Sequence, residues 1–150
     1  MLIVDNFLPT ILAEGVYNHI LFNCKHSYGH SSVGGNRFYT VDFNIKDPII
    51  EKIFNFLKEH TNYTLKRAYA NIQYSGMDGE WHFDDGDKTA LIFLNKNIEE
   101  GYLQIDNSST NIEPLFNRLV LFDGSKTKHR GLSPSNPGVP RISLAFKLWK

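Results

Sequence analysis

The sequence predicts a mostly β fold: two antiparallel sheets wound as a jelly roll, with two helices laid against the outer face of one sheet. Three observations predict it. From about residue 66 onward, short strand-like segments recur at steady intervals, over 67–74, 80–84, 89–94, 101–105, 110–114, 118–123, 127–130 and 140–148. Turn-forming clusters separate them: Ser75-Gly76-Met77-Asp78-Gly79, Asp85-Gly86-Asp87, Asp106-Asn107-Ser108-Ser109, Asp123-Gly124-Ser125 and the stretch Ser133 to Pro140. Before residue 66 the apolar spacing is helical in two places.

In chain order, residues 9–24 carry Ile11, Leu12, Val16, Tyr17, Ile20, Leu21 and Cys24 at helical spacing, with Pro9 near the first turn. Ser27 to Asn36, rich in serine, glycine and histidine, reads as a loop. Phe38 to Phe43 (Phe-Tyr-Thr-Val-Asp-Phe) favours extended backbone. Asp47-Pro48 opens a second helix, with a capping carboxylate and a proline in the first turn. Its apolar stripe is Ile49, Ile50, Ile53, Phe54 and Leu57.

Composition fits one enzyme-sized unit, with helical support over about 1–65 and a jelly-roll core over about 66–148. A chain of 150 residues can bury about two-thirds of its unfolded surface. Aromatic residues at 13% and hydrophobic ones at 41% exclude a disordered chain. Sixteen basic and sixteen acidic residues cancel without forming a basic stripe, which argues against a nucleic-acid partner. Cys24 is the single cysteine, so no internal disulfide exists, and its helical placement suggests burial. Asp5 and Pro9 interrupt the first apolar residues and no basic leader precedes them, so neither a signal peptide nor a membrane anchor is expected. A reducing cytoplasmic setting follows as the expectation. The oligomeric state is not legible.

The chemistry sits in His82-Phe83-Asp84, His129 and Arg141. In an extended segment residues i and i+2 share a face, so His82 and Asp84 can reach one ion while Phe83 turns away into packing. Two imidazoles and one carboxylate form the facial ligand set of non-haem Fe(II), which leaves the opposite side of the ion open. His129 follows the apolar segment Leu119-Val120-Leu121-Phe122 and would be the second imidazole. Arg141, opening the last strand, can pair in a forked geometry with a carboxylate. Asp85 and Arg130 are the competing carboxylate and guanidinium, but alternation puts Asp85 on the opposite face from His82 and Arg130 on the opposite face from His129. His19, His26, His30 and His60 read as structural or surface residues, and Lys147 and Lys150 as solvated.

In these residues the chain resembles the Fe(II)- and 2-oxoglutarate-dependent oxygenases, and their prolyl-4-hydroxylase-like branch most closely. The pattern of His-x-Asp, distal His and downstream Arg or Lys reads here as His82-Phe83-Asp84, His129 and Arg141. Ala70 to Gly76 is similar to the tyrosine-bearing strand before the motif, Thr89 to Asn95 to the strand after it, and Met1 to Pro9 to the opening strand. Glu100-Gly101-Tyr102-Leu103 keeps only one glycine of a stretch that often has two. The likeness spans about residues 67–148. It implies Fe(II), 2-oxoglutarate and dioxygen, with ascorbate as an optional accessory, and oxidative decarboxylation of 2-oxoglutarate to succinate coupled to hydroxylation of a C–H bond. It further implies His82, Asp84 and His129 as metal ligands and Arg141 as partner of the far carboxylate of 2-oxoglutarate.

A hydroxyl on the 67–74 strand would join Arg141, and Tyr74 is the best match to the family's tyrosine. Strand parity leaves others open, since Ala70, Ile72 and Tyr74 share one face while Tyr69, Asn71 and Gln73 share the other. Tyr69 or Asn71 comes next, and Thr89 after them. For substrate, Arg37, Tyr39 and Trp81 are candidates beside the glycine-rich His26–Arg37 loop, which would serve as a lid; the substrate is a prolyl or other peptidyl side chain or a small metabolite. Two other readings stand beside this one: a cupin-type enzyme with a different metal use, and a jelly roll that only binds.

Overall fold

The computed structural model describes residues 1–31, 33–106 and 109–150. Among them, ten strands and two helices occur in the order β1 (Leu2–Val4), α1 (Thr10–Asn18), β2 (Ser27–His30), β3 (Phe38–Phe43), α2 (Pro48–Leu57), β4 (Thr64–Gln73), β5 (Lys88–Phe93), β6 (Leu103–Ile105), β7 (Thr110–Ile112), β8 (Arg118–Phe122), β9 (His129–Gly131) and β10 (Arg141–Trp149). All strand pairs are antiparallel. Seven strands form one sheet in the order β1-β8-β5-β10-β4-β3-β2, and three form a second in the order β7-β6-β9. This is the jelly roll that the turn spacing predicts. Part of the predicted loop, Ser27–His30, instead pairs with β3 as an edge strand, with Ser27 opposite Thr40. Ser32 of that loop and Asn107 and Ser108 of the predicted 106–109 turn lie outside the described residues.

Alternation along the long strands builds two cores. Ala68, Ala70 and Ile72 of β4, Ala90 and Ile92 of β5, Leu119 and Leu121 of β8, and Ile142, Leu144, Phe146 and Leu148 of β10 face the helices. The opposite face, through Tyr69, Leu91, Phe93, Val120, Phe122 and Ala145, meets Leu103, Ile105 and Ile112 of the small sheet. The polar residues of the site are carried on this second face.

Helix α2 forms as its sequence demands. The Asp47 carboxylate accepts from the Ile49 N–H at 2.9 Å, Pro48 fills the first turn, and Ile50, Ile53 and Leu57 are fully covered. Helix α1 buries Ala13 and Val16, but Ile11, expected on the buried stripe, is 88% exposed. The coil then widens into a π-helical turn over His19–Asn23, which still carries Ile20 inward. Asn117 ties the entering chain to the sheet: its side chain accepts from Leu8 N–H at 2.9 Å and donates to Leu8 C=O at 2.8 Å. No helix among the described residues is long and apolar enough to cross a membrane.

Candidate active site

The predicted strand 80–84 forms only in part, and the exception positions the site. His82 and His129 face each other as an antiparallel bridge, each backbone N–H donating to the other's C=O at 3.0 Å. Directly opposed residues project to one side, so the two imidazoles stack with centroids 4.4 Å apart. Asp84 N–H donates to Gly124 C=O at 3.0 Å. A Cβ at Gly124 would lie 2.5 Å from the Thr89 hydroxyl and 3.1 Å from Asp84 Cβ, so glycine allows this backbone to pass beneath the carboxylate.

His82, Asp84 and His129 are thus brought together, with one ligand-capable atom from each inside a 4.8 Å sphere of mutual distance. His82 Nε2 lies 3.5 Å from Asp84 Oδ1, and His129 Nε2 lies 3.4 Å from Asp84 Oδ2. Both Nδ1 atoms are engaged outward, His82 with Glu80 C=O at 2.7 Å and His129 with Thr127 C=O at 2.8 Å. A carbonyl only accepts, so each Nδ1 carries a proton, and Nε2 is the atom that each ring turns toward the centre. Burial pushes His129 down to about 4, against an ordinary 6.5, which keeps it neutral near pH 7. Burial alone would raise the Asp84 carboxyl, but the His82 ring, the Lys147 ammonium and His129 outweigh it and hold Asp84 well below its ordinary range. A neutral His129 and an ionised Asp84 are the protonation states that a divalent metal requires of those two residues.

These residues line one cavity of about 260 Å³, which also receives Arg141, Asn71, Gln73, Tyr69, Ser143 and Lys147. That size suits a small dicarboxylate and the tip of a substrate better than a large cofactor. Arg141, 2% exposed, donates from Nε to Gly101 C=O at 2.8 Å and from Nη1 to Gln73 Oε1 at 2.8 Å and Ser143 Oγ at 3.3 Å. Its Nη2 makes no hydrogen bond among the described residues. Burial lowers its pKa to about 10, so it stays charged at neutral pH. Gly131 admits it, for a Cβ there would meet the guanidinium at 3.0–3.2 Å. Asn71 Oδ1 is buried and unpartnered among the described residues. A buried cation with a free N–H donor in the cavity fits an incoming carboxylate.

Several expectations are corrected. Tyr74 is turned from the cavity and packs on Tyr39 at 6.1 Å, because its parity is that of Ala70 and Ile72. Gln73, on the other parity, takes the place beside Arg141; the two are directly opposite in register. Its Nε2 donates to Met77 C=O at 2.8 Å and Gly131 C=O at 3.2 Å, which aims Oε1 at the guanidinium. Strand parity plus the Arg141 register could have found Gln73. Tyr69 and Asn71 do line the cavity. Thr89 does not reach Arg141 by any hydrogen bond among the described residues; its hydroxyl donates to Asp84 Oδ2 at 2.6 Å. Lys147 is 3% exposed rather than solvated, and its ammonium pairs with Asp84 Oδ2.

Neither Tyr39 nor Arg37 lines the cavity: Tyr39 lies between Tyr28 and Tyr74, and exposed Arg37 donates to Gly29 C=O at 3.4 Å. Trp81 does not line the cavity and stacks under the Arg130 guanidinium at 4.7 Å. Arg130 does not line the cavity that His129 lines, as alternation with His129 predicts, and donates to Gln104 Oε1 at 2.8 Å. The exposed residues that line the cavity are instead Arg67, Phe83 and Asp85, with His30 half-buried and Phe38 buried beside them. Phe83, expected to pack, is 56% exposed because the 80–84 segment pairs only intermittently and leaves that side uncovered.

Solved structures share this architecture. A prolyl hydroxylase from Trichoplax adhaerens, in complex with a hypoxia inducible factor oxygen degradation domain peptide fragment, matches over 98% of this chain and 82% of its own at TM-score 0.72 and 20% identity. The fold is that of the 2-oxoglutarate–Fe(II) oxygenases. The viral collagen prolyl hydroxylase of Paramecium Bursaria Chlorella virus-1, in its 2-oxoglutarate complex, matches over 99% of this chain and 96% of its own at TM-score 0.72 and 17% identity. A 2-oxoglutarate–Fe(II) oxygenase family oxidoreductase from Burkholderia pseudomallei matches over 98% and 84% at TM-score 0.73 and 13% identity. No protein-family model matches the chain, and no curated protein sequence matches it.

Proposed function

We propose that the chain is a single-domain hydroxylase that uses Fe(II), 2-oxoglutarate and dioxygen. The observation that carries this reading is the meeting of His82, Asp84, His129 and Arg141 in one cavity, on a fold shared with enzymes of that chemistry. Bound Fe(II) would supply oxidative decarboxylation of 2-oxoglutarate to succinate, coupled to hydroxylation of a substrate C–H bond. The two Nε2 atoms and an Asp84 oxygen would hold the metal on one side. Arg141 Nη2, aimed by Gln73 and Gly101, would hold the far carboxylate of 2-oxoglutarate, with Asn71 within the same polar wall. Tyr69 and Leu91 keep the inner wall largely closed to water, which strengthens each charge contact.

A peptidyl side chain is the favoured substrate. The Trichoplax adhaerens neighbour carries a peptide, and the cavity lining here includes exposed Phe83, Arg67 and Asp85 for an extended segment to lie against. A small metabolite is the second choice, favoured by the modest cavity of about 260 Å³. A reducing, cytoplasmic compartment would keep the iron ferrous. The test is succinate formation from 2-oxoglutarate by iron-loaded protein, with and without candidate peptides. Iron-dependent succinate that disappears in His129→Ala supports the reading; none, or equal amounts from the variant, overturns it.

A further inference from the structure

Among the described residues, Lys147 is the one buried cation that the proposed function leaves without a task. It lies six residues beyond Arg141 on β10, on the same face, so both project into the cavity. Its ammonium pairs with Asp84 Oδ2 and also donates to Thr89 Oγ1 at 3.3 Å, while Thr89 itself donates to Asp84 Oδ2 at 2.6 Å. Two donors therefore converge on one carboxylate oxygen. Oδ1 faces His82 Nε2.

The charge balance is unusual for a divalent-metal pocket. An ionised carboxylate buried between two imidazoles, with no cation beside it, would strongly attract a metal. Here Lys147 already supplies that compensation. With Arg141 included, the buried charges lining the cavity sum to plus one before any ligand enters. Exposed Arg67, which also lines the cavity, already has its own partner in Asp42 at 3.8 Å.

We infer that Lys147 is a built-in counter-ion of Asp84 that keeps the triad assembled without metal, weakens divalent-metal binding, and strengthens binding of the anion that joins the metal. It is a positioning residue acting through Asp84 and through charge. The inference rests on the metal and dicarboxylate reading above. Its signature is a pair of shifts of opposite sign. Removing the ammonium takes a like charge from beside the metal and, at the same time, an opposite charge from beside the dicarboxylate. A residue that only supported the fold would weaken both.

The test uses the full chain and Mn(II), whose paramagnetic resonance signal reports free metal and which does not depend on turnover. Lys147→Met is compared with the natural protein, and Lys147→Gln takes its place if the methionine variant does not fold. The neutral variant is expected to bind Mn(II) at least about tenfold more tightly, and its Mn(II) form to bind 2-oxoglutarate at least about threefold more weakly. Weakening of both, or no change in either, overturns the inference while leaving the metal-site reading intact. Failure of the natural protein to bind Mn(II) even with 2-oxoglutarate removes both together.

Discussion

Replacing Arg141 by methionine tests the division of labour in the site, because Arg141 makes no contact with His82, Asp84 or His129 among the described residues. The substitution keeps most of the buried volume and removes the charge. It deletes three hydrogen bonds, to Gly101 C=O, Gln73 Oε1 and Ser143 Oγ, together with the free Nη2 donor. Stripping one partner from a buried charge pair costs about 2–5 kcal/mol, which corresponds to a loss of 2-oxoglutarate affinity between roughly 30-fold and several thousand-fold. Metal affinity should move less than about threefold, a shift under 1 kcal/mol. The fold also loses stability, since each carbonyl left without a donor costs about 1–3 kcal/mol. Binding is therefore measured well below the variant's unfolding midpoint. Calorimetric titration of 2-oxoglutarate into Mn(II)-loaded protein, beside Mn(II) titration alone, gives both numbers. Arg141→Lys keeps the charge but not the fork and should fall between. Equal losses in metal and dicarboxylate binding, in a folded variant, would make Arg141 a structural residue and refute the assignment.

His82→Ala and Asp84→Ala should each abolish measurable Mn(II) binding with circular dichroism unchanged; metal retained by either removes it from the ligand set. Gln73→Ala should weaken 2-oxoglutarate binding about tenfold, since it frees the guanidinium it orients, whereas Tyr74→Phe should leave it unchanged; the reverse order in the same titration would restore Tyr74 to the cavity. Metal-free stability should fall with acid. His129 titrates at about 4 in the fold and near 6.5 unfolded, so its contribution is complete above pH 6.5 and lost progressively toward pH 4. The loss should reach about 3 kcal/mol, on top of the carboxylate loss that Asp84 adds only below its ordinary range. Urea unfolding at pH 7 and pH 4.5 checks it, and equal stabilities would contradict it. Asn117→Ala should cost about 2–5 kcal/mol by leaving Leu8 N–H and C=O unpaired; a midpoint shift near zero in urea would show that water replaces the amide.

Periodicity made most of the fold legible. The jelly roll follows from strand spacing and turn chemistry, and α2 from Asp47-Pro48 and its stripe. What local pattern could not give was pairing. Strand β2 forms because β3 offers it an edge, not because Ser27–His30 favours extension. Ile11 is exposed although it fits the helical stripe, since only part of α1 meets the sheet. In the site, the parity of β4 was available from the sequence, but deciding which parity faces the cavity needs the β4–β10 register, and that selects Gln73 over Tyr74. The burial of Lys147 is hidden from local pattern for a related reason. A lysine near a chain end is usually solvated, and only the close approach of Asp84 and Thr89 supplies partners that make its burial tolerable.

The central claim is that His82, Asp84, His129 and Arg141 together hold ferrous iron and 2-oxoglutarate. Anaerobic titration with both, followed by visible absorption, tests it most directly, because a keto acid chelating ferrous iron gives a weak charge-transfer band. The account predicts a band that saturates at one equivalent of each and is absent in His129→Ala. Folded protein that gives no band with both ligands in excess would contradict it.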